Sequence, residues 1–171
     1  MKTMQWNNVD RAGWPAGLWD GEPDQVQWCD EATGLPCLAK RHPRSGHWCG
    51  YVGVSDGHPA FGKDYNDVDV SVHGGLTFAD HCRGEPGKGI CHLPEAGEPD
   101  HIWWLGFDCH HYRDYSPQDK VRERDRPEPL WMVDPDASYR TLNYVKNQCA
   151  DLAEQLHRGA SGDNSSHSEE R

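Results

Sequence analysis

Three clusters of residues in this 171-residue chain have types and spacings suited to chemistry. The first is Asp67-x-Asp69-x-Ser71-x-His73, followed by Gly74-Gly75. On a strand, a period of two puts these four polar side chains on one face and Val68, Val70 and Val72 on the other. His73, at the strand's end, is a candidate general base or metal ligand. Paired glycines allow a tight turn or a close approach of backbone to a ligand. Asp67, Asp69, Gly74 and Gly75 are therefore candidate ligand-binding residues. An ordinary half-wet strand with a Gly-Gly turn would carry the same pattern.

The second cluster is Asp108-Cys109-His110-His111-x-x-Asp114, placed where a strand gives way to a loop. Acid, thiol and imidazole together offer Cys/His nucleophilic chemistry or metal ligation. Asp108, Cys109, His111 and Asp114 join His73 as candidate catalytic residues. Turn hydrogen bonding by the two acids, with Cys109 buried as a small hydrophobe, is the plainer alternative. The third cluster, His81-Cys82-x8-Cys91-His92, brackets a Gly/Pro-rich loop. Zinc or another divalent metal held by Cys82, Cys91 and Cys109 would clip that loop. A Cys82–Cys91 disulfide is disfavoured in a reducing compartment, and isolated thiols are the simplest reading.

These residues need a scaffold. Val26–Cys29 and Cys37–Lys40 read as a hairpin, and Trp48–Val54 as a third strand. Asp67–His73 and Ile102–Asp108 follow, the latter with Trp103, Leu105 and Phe107 on one face. The Asp80–Asp100 excursion is long enough to be functional or tied down. Leu142, Val145, Cys149, Leu152 and Leu156 recur at steps of three and four, which predicts a helix near Ser138–His157. Asp136 or Ser138 would cap it and Gly159 would end it. Residues 1–25 read as an irregular arm and 26–158 as one domain. From 159 onward the chain reads as a disordered tail, and Lys40–Arg44 as a solvated basic loop. The fold class is α+β: a mostly antiparallel sheet with one long C-terminal helix packed on it. The functional reading requires His73 and His111 to face one cleft. Parallel neighbouring strands would bring them together directly, whereas antiparallel ones would separate them unless the loops fold back.

Composition narrows the function. Seventeen basic residues against 28 acidic give a net charge of −11, which disfavours binding to a nucleic-acid duplex. No stretch approaches the ~20 apolar residues of a membrane span, and the N-terminus lacks the apolar core of a signal peptide. A cytoplasmic protein is expected. Eighteen Gly and 12 Pro exclude a helical bundle. Eight Trp suit a core of large side chains or a stacking surface for a planar ligand, with Trp104 as the candidate ligand contact. P-loop, dinucleotide and nucleophile-elbow motifs are absent.

Several longer segments add a resemblance. Ala32–Cys37 (ATGLPC), Trp48–Val54 (WCGYVGV), His73–Phe78 (HGGLTF), Ile90–His92 (ICH), Gly97–Asp100 (GEPD) and Trp103–Cys109 (WWLGFDC) resemble a family of uncharacterised small phage and bacterial proteins. The resemblance covers roughly residues 14–157. The family pattern places Ala-His after the cysteine, so His111 matches it and His110 departs. The resemblance implies a phage or prophage accessory setting, with counteraction of host defence as the expected role. A small-molecule ligand is the expected partner, in a monomer or a homo-oligomer. The leading expectation is a hydrolase of a nucleotide-like or phosphoester small molecule. Its alternatives are a non-catalytic binder that sequesters a nucleotide signal and a docking protein that inhibits a host protein.

Overall fold

A computed structural model describes residues 1–128 and 134–162. Six strands form one antiparallel sheet: β1 (Met4–Trp6), β2 (Gln25–Cys29), β3 (Pro36–Arg41), β4 (Trp48–Ser55), β5 (Phe78–His81) and β6 (Ile102–Asp108), in the order β1-β2-β3-β4-β6-β5. A two-residue parallel pair, β7 (Asp114–Tyr115) with β8 (Ser138–Tyr139), stands apart from it. Helix α1 spans Pro117–Asp125, and α2 spans Leu142–Gly162. The architecture is α+β, with α2 packed across β4 and β3.

Register explains the core. Cys37 opposes Val52, and Val52 opposes Leu105, so one sheet face presents an apolar row to α2. Val145, Cys149, Leu152, Ala153 and Leu156 of α2 are all buried there. Gly50 permits the close approach: a Cβ would collide with the Phe107 ring and Cys149 Sγ. The helix begins later than its sequence pattern implies, because Ser138 and Tyr139 are used in β8. Its first turn is capped by Thr141 Oγ1, which accepts from Tyr144 N at 3.2 Å, and by Glu22 Oε1, which accepts from Leu142 N at 2.7 Å. Gly159 does not end it. Helix continues through Gly162, and the rest of the expected disordered tail lies outside the described residues.

Three further expectations are corrected. The arm is not wholly irregular, since Met4–Trp6 pairs with β2. Arg41 is not in a solvated loop. It is fully buried, bonded to Glu22 Oε2 at 2.8 Å and Tyr139 Oη at 2.7 Å, and lies over the Trp48 ring. Asp67–His73 is not a strand: a 3-10 turn at Tyr65–Asp67 runs into extended chain. The alternation is real, as Val68, Val70 and Val72 pack against the core while Asp67, Asp69 and Ser71 are exposed. Its hydrogen bonds, however, go to helix glutamines. Gln155 Oε1 accepts from Ser71 N at 2.7 Å and Gln155 Nε2 donates to Ser71 O at 2.8 Å. Gln148 Oε1 accepts from His73 N at 2.8 Å. Side chains of α2 thus replace a neighbouring strand in satisfying this backbone.

The second sheet face is covered by the Asp80–Asp100 excursion. Buried Gln27 accepts from Leu93 N at 2.8 Å and donates to Leu93 O at 3.1 Å, while Gln25 Nε2 donates to Gly89 O at 3.3 Å. Cys82 and Cys91 are disulfide-bonded, with Cα atoms 4.7 Å apart. This overturns the zinc clip and the isolated-thiol reading together. Among the described residues no helix is long and apolar enough to cross a membrane.

Candidate functional site

His73, His111 and Asp114 come together beside the first turns of α2. His73 Nε2 lies 2.8 Å from Asp114 Oδ2, and His73 Nδ1 lies 2.9 Å from the Tyr144 hydroxyl. Arg140 Nε donates to the other carboxylate oxygen, Oδ1, at 2.8 Å. The His111 amide donates to Oδ2 at 2.9 Å. The Asp114 carboxylate has no solvent exposure, yet every bond it accepts favours its ionised form. Burial pushes its pKa up, but Arg140, the His111 amide and His73 outweigh that and hold it below the usual carboxylate value. An ionised Asp114 fixes the His73 tautomer: Nε2–H donates to the carboxylate and Nδ1 accepts the Tyr144 proton. Burial holds the Tyr144 pKa above its ordinary value, so the hydroxyl keeps its proton.

The second imidazole, His111, lies with its ring centroid 5.6 Å from that of His73. Its Nε2 is buried and 3.6 Å from Asp108 Oδ1, beyond hydrogen-bond length. Asp108 Oδ2 accepts from Thr77 Oγ1 at 3.0 Å, and Oδ1 from His110 N at 3.1 Å. The local turn is tight, because Arg113 adopts φ 68° and returns the Asp114 amide to His111 O at 3.0 Å. Gly74, at φ 67°, passes directly against the His111 ring. A polar groove of about 530 Å³ runs from His73 along α2, lined by Gln148, Asp151, Gln155 and Arg158.

The two histidines converge through neither route considered from sequence. Strands β5 and β6 are antiparallel neighbours. His73 precedes β5 on the extended segment and His111 follows β6, so both lie at the same end of that pair.

Other candidates are placed elsewhere or lose their role. Cys109 is buried, and its thiol is pushed far up by burial and by Asp114, so it is no nucleophile. With Cys82 and Cys91 in a disulfide, it has no metal to share with them. Among the described residues no group of three or more His, Cys, Asp or Glu is arranged to hold a metal ion. Trp104 is fully buried on the far sheet face with Leu38, Tyr51 and Ile102, and serves as core. Asp67 and Asp69 are exposed on the segment leading to His73. Gly75, at φ 84°, completes the turn after His73.

Sequence reasoning missed Tyr144, Arg140 and Gln148. Tyr144, Gln148, Asp151 and Gln155 recur at steps of four, three and four beside the apolar stripe of α2, and that polar row was a usable signal. Arg140 carried none. Also unforeseen is a stack of three imidazoles, His42 on His47 at 4.9 Å and His47 on His110 at 4.5 Å. Ser45 Oγ is hydrogen-bonded to Nδ1 of both His42 and His47.

No protein-family model, no curated protein and no solved structure matches the chain.

Proposed function

We propose that the protein is a hydrolase of a nucleotide-like or phosphoester small molecule, with His73 and His111 handling the protons. One observation carries the reading: an imidazole bonded to a buried, arginine-backed carboxylate at 2.8 Å, with a second imidazole 5.6 Å from the first. Phosphoester hydrolysis needs a base to take a proton from the attacking water and an acid to protonate the departing oxygen. Two imidazoles at this separation can flank one phosphoryl group. In the proposed scheme His111 accepts the water proton, with Asp108 beside it to stabilise the resulting imidazolium. Water oxygen bonds to phosphorus as the ester P–O bond breaks. Tyr144 gives its proton to the leaving oxygen. The proton that His111 took from water then passes to the freed Nδ1 of His73, whose transient charge Asp114 balances, and on to the Tyr144 phenolate, restoring all three groups.

A non-catalytic binder of the same ligand is favoured by a different observation: Asp114 and Tyr144 already engage both ring nitrogens of His73. The phage accessory setting and the cytoplasmic location rest on sequence alone. The test is turnover of bis(p-nitrophenyl) phosphate and of a panel of linear and cyclic nucleotides. The proposal expects turnover that His73→Ala and His111→Ala each abolish while the chain stays folded. Nucleotide binding without turnover by the unaltered protein would establish the binder instead.

A further inference from the structure

A second pocket lies away from the histidine pair, between the β2–β3 turn, the start of β6 and the end of the excursion. It encloses about 220 Å³; Leu35, Pro36, Pro99, Ile102 and His92 line it together with the ion-paired Met1 and Glu98. His92 is only 3% exposed. Its Nε2 lies 3.2 Å from Pro99 O, a carbonyl that can only accept, so the ring is protonated at Nε2. That leaves Nδ1 as a bare acceptor, and Nδ1 is buried with no hydrogen-bond partner. Burial also lowers the His92 pKa, which keeps the ring neutral. A buried acceptor without a donor is costly, and native proteins seldom leave one unless something fills the place.

We infer that this pocket binds a small, uncharged, largely apolar molecule whose single O–H or N–H donates to His92 Nδ1. Size sets the class. The volume falls below the ~300–1,000 Å³ of drug-sized sites, so the occupant is one ring or a short chain. The apolar walls supply the binding free energy, and the one acceptor supplies orientation and selectivity for a donor. The one cation in the lining, the Met1 ammonium, is already ion-paired with Glu98, and no arginine or lysine stands beside it, which disfavours an anion such as a phosphate. The pocket is therefore distinct in chemistry from the phosphoester site proposed above and does not depend on it.

Phenol and anisole, which differ by methylation of the hydroxyl, test the inference. Each is titrated into the full chain and followed by calorimetry and by the ¹⁵N resonances of the His92 imidazole. Phenol is expected to bind saturably, to shift the Nδ1 resonance and to exceed anisole on the order of tenfold, the worth of one hydrogen bond. His92→Phe should erase that preference, and Leu35→Trp, which fills the pocket from its rim, should erase binding of both. Equal affinity for the two compounds in the unaltered protein would overturn the inference. So would absence of saturable phenol binding.

Discussion

The imidazole of His111 occupies the space where a side chain at residue 74 would begin. Gly74 has φ 67°, and a Cβ built there collides with the ring. One glycine therefore sets the distance between the segment carrying His73 and the loop carrying His111. Gly74→Ala should push His111 away and cost roughly 1–3 kcal/mol through overpacking, with added strain from the positive φ. Thermal unfolding measures the cost. A variant with unchanged melting temperature and an unshifted His111 resonance would contradict this geometry.

Asp114 ties three groups together: His73, Arg140 and the His111 amide. Asp114→Asn removes the charge that Arg140 and His73 share, and should destabilise the protein by roughly 3 kcal/mol, the low end for breaking a buried pair, because Arg140 is partly exposed. The pH dependence has a definite sign. The folded pKa of Asp114 is depressed, so its contribution is present above the unfolded value near 3.9 and is lost as pH falls through the folded value. Denaturant unfolding between pH 5 and pH 2 should show this loss in the unaltered chain and not in Asp114→Asn.

The stacked histidines act in a higher window. Burial, with His110 and His42 alongside, pushes the His47 pKa down from 6.5 to about 4. Asp108 and Asp114 oppose that shift, and Arg44 acts on His42 in the same direction as burial. The unfolded chain then binds more protons than the folded one between these two values. Stability should fall as pH drops from about 6.5 to about 4, by about 3 kcal/mol from His47 alone. His47→Phe keeps a flat ring in the stack and should flatten that slope. An unchanged slope would remove the cause assigned here.

Leu152 lies at the middle of the α2 stripe and is fully buried. Leu152→Ala should cost about 2–5 kcal/mol, whereas Glu154→Ala, on the exposed side of the same helix, should cost little. Equal melting temperatures for the two variants would show that α2 does not dock through this stripe.

The thiols can be counted. Denatured but unreduced protein should titrate as five free thiols, because Cys82 and Cys91 are joined. Opening the pair by Cys82→Ser with Cys91→Ser should cost about 2–3 kcal/mol, from the entropy of a loop of about nine residues. Protease cleavage should then concentrate in 83–90. Seven thiols in the oxidised protein would refute the bridge. Cys109→Ala should leave turnover intact, since its buried thiol touches no reacting group in the proposed scheme.

Local patterns determined most of the scaffold. A turn signal between short apolar runs marked β2 and β3, aromatic and β-branched content marked β4, and one-face placement of Trp103, Leu105 and Phe107 marked β6, each to within a residue or two, because these are properties of the local chain. The stripe through Leu142, Val145, Cys149, Leu152 and Leu156 marked α2 for the same reason. His73, Asp108, His111 and Asp114 were legible as reactive types at turns, though not as neighbours. Tertiary structure decided the rest. The alternation at Asp67–His73 could not say that Gln148 and Gln155 of a helix, rather than a strand, would satisfy its backbone. The spacing of Cys82 and Cys91 suited metal and bridge alike, and only the fold over the second sheet face chose the bridge. Arg41 sat in a basic run, and its burial depended on Glu22 and Tyr139 arriving from opposite ends of the chain. Tyr144 and Arg140 joined the site because α2 docks beside the β7–β8 pair. Each of these contacts joins segments far apart in sequence, and the energy of such a contact exists only after the intervening chain has folded.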